Sequence, residues 1–213
     1  MTLDVKICGL STEAAVAAAV DGGAAYVGFV FFPPSPRSIE PGRQATLASD
    51  VPAGVTKVAL TVDAGDDWLA AIVADGAIDM LQFHGAEPPA RVAEVKARHG
   101  LPVMKAVAIS GPADVAVARS FETVADRLLF DAKPPPDATR PGGNALAFDW
   151  RIIAGETWAL PWMLAGGLDA DNLAEAVASS GATMVDVSSG VEDRLGVKNV
   201  DTIRRFLTTA AAL

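Results

Sequence analysis

At 213 residues the chain has the length of one ordinary domain with a sizeable apolar core, and two full domains would be cramped. Half of it is hydrophobic (51%), yet Asp, Lys, Pro or Gly breaks every apolar stretch short of the roughly 18 residues a membrane span needs, so a soluble protein is expected. A net charge of −9 without Lys/Arg clusters excludes nonspecific nucleic-acid binding, and a lone cysteine, Cys8, excludes an internal disulfide and a multi-thiolate zinc site.

In chain order, the start from Met1 to Lys6 lacks the basic and long apolar parts of a signal peptide and enters a strand, which leads us to expect a cytoplasmic protein. Strands of β-branched and aromatic character are predicted at Asp4 to Cys8, Tyr26 to Phe32, Thr56 to Val62, Met80 to Phe83, Val103 to Ala108, Arg127 to Asp131, Trp162 to Ala165 and Thr183 to Val187. Ala-rich helices are predicted to begin near Thr12, Gly42, Asp66, Pro89, Ala113, Asp149, Asp171 and Val200, several through Ser, Asp or Pro as helix starts prefer. Strict alternation implies parallel pairing, and apolar runs such as Leu128-Leu129-Phe130 suit strands buried on both faces. The fold class is therefore α/β, a (β/α)8 TIM barrel over residues 1–213 as a single domain, with a doubly wound open sheet as the alternative. Such barrels typically have ~250 residues, so the loops must be short.

Working residues of a barrel stand at the C-terminal ends of its strands. The first strand delivers Cys8, which as a lone cysteine fits either a packed small hydrophobe or a reactive thiol, followed by Gly9, which admits close backbone approach. The loop after the second strand, Phe32-Pro33-Pro34-Ser35-Pro36-Arg37, stiffens the chain around Arg37; a solvated surface arginine and a carboxylate clamp both fit. The fourth strand ends with Gln82 and His84 on one face, candidates for substrate contacts or for a satisfied structural pair. Two histidines without ligand spacing offer no metal site. The sixth strand ends at Asp131, roughly opposite Cys8 in an eight-strand ring, which suits paired acid and base chemistry and equally a capped turn. The last two strands end in Gly166-Gly167 and Ser188-Ser189-Gly190, small and rich in N–H donors, where a barrel commonly cradles phosphate even on an acidic protein.

Seven segments in this order resemble the phosphoribosylanthranilate isomerase family: Lys6-Ile7-Cys8-Gly9, Ser35-Pro36-Arg37-Ser38-Ile39, Leu81-Gln82-Phe83-His84-Gly85, Asp131-Ala132, Pro141-Gly142-Gly143 leading to Phe148-Asp149-Trp150, Leu164-Ala165-Gly166-Gly167-Leu168, and Val185 to Glu192. The resemblance implies a cofactor-free Amadori rearrangement of a small phosphorylated substrate, with Asp131 as general acid, Cys8 as general base, Arg37 on the anthranilate carboxylate and Gly166, Gly167, Ser188, Ser189 and Gly190 on the phosphate. One departure stands out, Asn144-Ala145-Leu146 where the family usually has a small polar residue and then Gly. A cysteine base is reachable from a free pKa near ~8.5 if nearby dipoles or cations lower it. The rivals are another sugar-phosphate barrel, such as an indole-glycerol-phosphate synthase or a ribulose-phosphate epimerase, and a catalytically silent phosphate-binding barrel. Monomer and homodimer are both open.

Overall fold

A computed structural model describes residues 3–134, 138, 140–144 and 146–213; Met1, Thr2 and the Ala145 of the departing segment lie outside the described residues. Eight parallel strands close into a barrel: β1 (Asp4–Cys8), β2 (Tyr26–Phe31), β3 (Thr56–Thr61), β4 (Met80–Phe83), β5 (Val103–Ile109), β6 (Arg127–Ala132), β7 (Trp162–Leu164) and β8 (Met184–Val187). The last strand pairs with the first, Lys6 opposite Asp186, which rules out the open-sheet alternative. Around the ring stand α1 (Glu13–Asp21), α2 (Arg43–Ala48), α3 (Asp66–Val73), α4 (Pro89–His99), α5 (Pro112–Arg119), α6 (Leu173–Ser180) and α7 (Val200–Ala211).

The helix starts follow from local chemistry. Thr12 accepts the Ala15 amide at the head of α1, and Asn199 accepts that of Thr202 at the head of α7, each satisfying a donor the helix leaves free. Strand residues alternate between two apolar environments, as the pleat dictates. Outward side chains such as Ile7, Phe29, Leu81, Phe83, Leu128 and Phe130 pack beneath the helices. Inward ones, Tyr26, Val58, Met80, Met104, Leu129, Met163 and Met184 among them, fill the barrel below the mouth. Each large buried side chain stabilises the fold by about 1.5–3 kcal/mol relative to exposure, so the ring is a packed core.

Two features depart from the expected pattern. The helix expected from Asp149 is a short 3-10 turn, Trp150–Ile152: Asp149 caps its start by accepting the Arg151 amide, and Gly155 then turns the chain away at φ +75°. So short a segment cannot recover the cost of helix nucleation. After β8 an unforeseen antiparallel pair, β9 (Glu192–Arg194) and β10 (Val197–Lys198), sets Glu192 beside Lys198. Its polar sequence carries no alternation by which to detect it. Among the described residues no helix is long and apolar enough to cross a membrane.

Candidate active site

A cavity of roughly 760 Å³, including its solvent mouth, opens at the C-terminal ends of the strands. Cys8, Arg37, His84, Asp131, Gly166, Gly167, Ser188 and Ser189 all line it, so strands far apart in sequence converge on one space.

On the β1 side, Cys8 is 3% exposed and stands two residues above Lys6, on the same face of the strand. Lys6 is wholly buried and donates to Asp186 Oδ1 of β8 at 2.8 Å. A Cβ on Gly28 would stand 3.1 Å from Cys8 Sγ and 3.2 Å from Lys6 Cε, so the missing side chain on β2 makes room for both. Burial opposes the Lys6 charge, but Asp186 and then Cys8 outweigh it and hold the ammonium above the ordinary lysine range. Burial likewise pushes the Cys8 thiol up; Lys6 pulls it down, Asp186 pushes it up again, and the balance lies above the ordinary thiol value. The cations near the thiol therefore do not bring it below its free value, because dehydration outweighs them.

On the β6 side, Asp131 Oδ2 lies 3.1 Å from His84 Nε2, and His84 Nδ1 lies 3.2 Å from Gln82 Nε2. The second Asp131 oxygen accepts the Ala132 amide at 2.8 Å. When Gln82 Nε2 donates to Nδ1, the ring proton sits on Nε2 and is donated to the carboxylate. Gln82, expected among the substrate contacts, is 0% exposed behind His84 and does not border the cavity. Over this pair runs the Gly142-Gly143 backbone: a Cβ on Gly142 would fall 2.7 Å from both Asp131 Oδ2 and His84 Nε2. Only glycine lets that loop lie so close.

Arg37 is neither a surface residue nor a free clamp. Its Nε and Nη2 donate to the two carboxylate oxygens of Glu192 at 2.6 and 2.9 Å, and its stem rests on Gly9, where a Cβ would be 2.7 Å from Cδ. Gly9 thus makes way for Arg37. Glu192 also accepts from Lys198 Nζ at 2.8 Å and from the Gly196 amide at 3.0 Å. Burial would lift its carboxyl, but the hydrogen bond and charge of Arg37 and those of Lys198 hold it down at about 2. The Nη1 side of Arg37 is turned to Gly143, on the cavity. Arg140 lines the same space with a buried Nε that has no partner among the described residues.

Gly166 and Gly167, both at positive φ, turn their loop under the cavity, and their amides make no hydrogen bond to the described residues. Ser188 carries its hydroxyl and carbonyl against Lys198 Nζ, 3.3 and 2.8 Å away. Gly190 does not border the cavity. It is where the two loops touch, since a Cβ there would collide with the Leu168 carbonyl at 1.9 Å.

The sequence reading missed Lys6, Asp186, Glu192, Lys198 and Arg140. Lys6 alternating with Cys8, and Asp186 inside an apolar strand, were visible signals of buried charge; Glu192 and Lys198 follow from a hairpin that leaves no such trace. Among the described residues no three His, Cys, Asp or Glu side chains gather as a metal site would need.

Comparison with known proteins agrees with this geometry. The family model for N-(5'phosphoribosyl)anthranilate (PRA) isomerase matches residues 5–209. A relative from Paracoccus denitrificans (strain Pd 1222), an N-(5'-phosphoribosyl)anthranilate isomerase, is 57% identical over 212 residues, covering 100% of this chain and 99% of that one. The phosphoribosyl anthranilate isomerase of Thermotoga maritima superposes with a TM-score of 0.88 at 31% identity, covering 99% of this chain and 100% of that one. A phosphoribosyl anthranilate isomerase in complex with reduced 1-(o-carboxyphenylamino)-1-deoxyribulose 5-phosphate superposes with a TM-score of 0.85 at 29% identity, covering 99% and 100%. With the match running almost from end to end, this chain belongs to the N-(5'-phosphoribosyl)anthranilate isomerase family.

Proposed function

We propose that this chain, acting over residues 1–213 as one catalytic domain in the cytoplasm, converts N-(5'-phosphoribosyl)anthranilate to 1-(2-carboxyphenylamino)-1-deoxyribulose 5-phosphate without a cofactor. Asp131 gives a proton to the furanose ring oxygen as the C1–O bond breaks, and the nitrogen lone pair forms the iminium. The Cys8 thiolate then removes the proton from C2, whose electrons flow into the iminium to give an enol amine. Tautomerisation yields the ketone, with proton count unchanged across the reaction.

The observation that carries this reading is that Cys8 and Asp131 enter one cavity from β1 and β6 with groups of opposite proton demand. The Nη1 side of Arg37 supports a place for the anthranilate carboxylate near Gly143, with Arg140 as a second cation beside it. The free amides of Gly166 and Gly167, with the hydroxyls of Ser188 and Ser189, support a phosphate seat at the other end. His84 borders the substrate space and Gln82 steadies it.

The test is direct. Purified protein added to freshly made phosphoribosylanthranilate should abolish the substrate's anthranilate fluorescence with saturation kinetics, and inorganic phosphate should compete. A folded protein that binds the substrate without turnover would instead mark a silent barrel.

A further inference from the structure

A lysine inside a packed barrel needs a reason. The interior below the mouth holds Tyr26, Val58, Met80, Met104, Leu129, Met163 and Met184, with Arg127 laid on Tyr26 and Met184, and an apolar side chain at position 6 would pack there without dehydrating a charge. A buried ion pair is weak evidence for stability, since well-packed hydrophobic residues often do as well or better. The pair is also not placed at random. Lys6 and Asp186 face each other in register across β1 and β8, and Lys6 shares with Cys8 the space left by Gly28. Among the described residues Lys6 Nζ donates to one oxygen only, Asp186 Oδ1, which leaves further N–H bonds for the sulfur.

We propose that Lys6 is a positioning residue for the reaction, its ammonium held by Asp186 beneath the cavity floor as the counter-cation for the charge that Cys8 acquires on losing its proton. Of the other charged groups that line the cavity with the thiol, Arg140 keeps a buried Nε without a partner among the described residues, and the rest are committed elsewhere. Lys198, from β10, is bound to Glu192 and the Ser188 carbonyl, and Arg37, from the loop after β2, is bound to Glu192. His84 and Asp131, from β4 and β6, bind one another across the cavity. Asp186 opposes the thiolate, yet by fixing Lys6 it keeps the cation under the sulfur. The largest charge influences on the thiol run in these directions, Lys6 lowering it and Asp186 raising it, with Lys198 adding a smaller lowering.

This inference rests on Cys8 as the base, but it can be tested without turnover because Cys8 is the sole cysteine of the chain. The rate of its alkylation by iodoacetamide, measured against pH on the whole protein, reports its ionisation. Lys6→Met should move the inflection to higher pH and slow alkylation at pH 7 by about tenfold or more, since one unit of ionisation is tenfold in thiolate. Asp186→Asn should move it to lower pH. The double variant should lie above wild type, because Lys6 exerts the larger influence of the two. A merely structural pair would not produce shifts of opposite sign. Circular dichroism and thermal melting verify the fold; if Lys6→Met does not fold, Asp186→Asn and the double variant decide. Folded variants with the wild-type profile, or shifts of one sign, overturn the proposal. If alkylation shifts as expected while the acidic limb of kcat/KM stays fixed, the Lys6 pairing stands and Cys8 is not the base.

Discussion

On the β1 side of the cavity a thiol 3% exposed stands over a buried ion pair, whereas on the β6 side Asp131 is held by a His84 ring and a backbone amide, both side chains 11% exposed. One group is governed by dehydration and fixed charge, the other by hydrogen bonds near water. The contrast fits their proposed tasks. A base that must exist as thiolate while burial opposes that charge needs a fixed cation beside it, while an acid that must exchange protons with each turnover benefits from access to solvent. The two sides should therefore respond differently to substitution.

The largest effects should come from removing each group while keeping its shape. Cys8→Ser and Asp131→Asn should each reduce kcat by about 10²–10⁴ with the fold intact, the range expected when general acid–base help is lost. Steady-state kinetics beside a melting curve checks this, and a folded Cys8→Ser with near wild-type turnover contradicts the base assignment. The wild-type acidic limb of kcat/KM should also inflect above the ordinary thiol range, since burial raises Cys8.

Next in size is a stability effect at the rim. Glu192 is held at about 2 against an ordinary value of 4.5, so its contribution is complete above the unfolded value and is lost as pH falls toward the folded one. Glu192→Gln leaves Arg37 and Lys198 without their anion and should destabilise by about 3 kcal/mol at pH 7, in the range for breaking a buried pair. Protonated Glu resembles Gln, so the gap to wild type should close between about pH 4.5 and about pH 2. Denaturant titrations over that range test it, and a gap independent of pH contradicts it.

Arg37→Ala should be milder in free energy. One charge-assisted contact to the substrate carboxylate is worth about 1.5–3 kcal/mol, so KM should rise roughly 10- to 100-fold with kcat less affected. An equal loss in kcat at constant KM would place Arg37 in the chemistry and not in binding.

How much of this was legible in the sequence depends on what kind of interaction was involved. Barrel order was visible because strand and helix periods differ and the short loops left no room for anything else. Cys8, Asp131 and Arg37 were visible because strand ends and stiff loops announce side chains at the mouth. What escaped was pairing across the chain: Lys6 with Asp186 lies 180 residues apart and Arg37 with Glu192 155 apart. Periodicity reads one element at a time, so it puts Lys6 on a face without saying which charge waits there. For the same reason Gln82 seemed a contact, when its neighbour His84 stands between it and the cavity.

The smallest predicted effect concerns that Gln82. Its Nε2 faces His84 Nδ1, and its Oε1 is buried without a partner among the described residues. In this orientation His84 Nε2–H donates to an ionised Asp131. Rotating the amide by half a turn sends Nε2 away and lets Oε1 accept from Nδ1–H; His84 Nε2 then becomes an acceptor for a proton carried by Asp131, the state an acid requires. The same three side chains therefore have two hydrogen-bond settings, the second holding one more proton than the first, and Gln82 is the only one of the three that serves both by rotation. Gln82→Met keeps the bulk but can serve neither, so kcat should fall severalfold, below the full loss of Asp131→Asn, with KM little changed. Nitrogen chemical shifts of the His84 ring would report the tautomer directly: an Nε2–H tautomer held in wild type while Asp131 is ionised, and a mixture under the same conditions in Gln82→Met, is the expected result. Unchanged ring shifts with unchanged kcat would reduce Gln82 to packing behind His84.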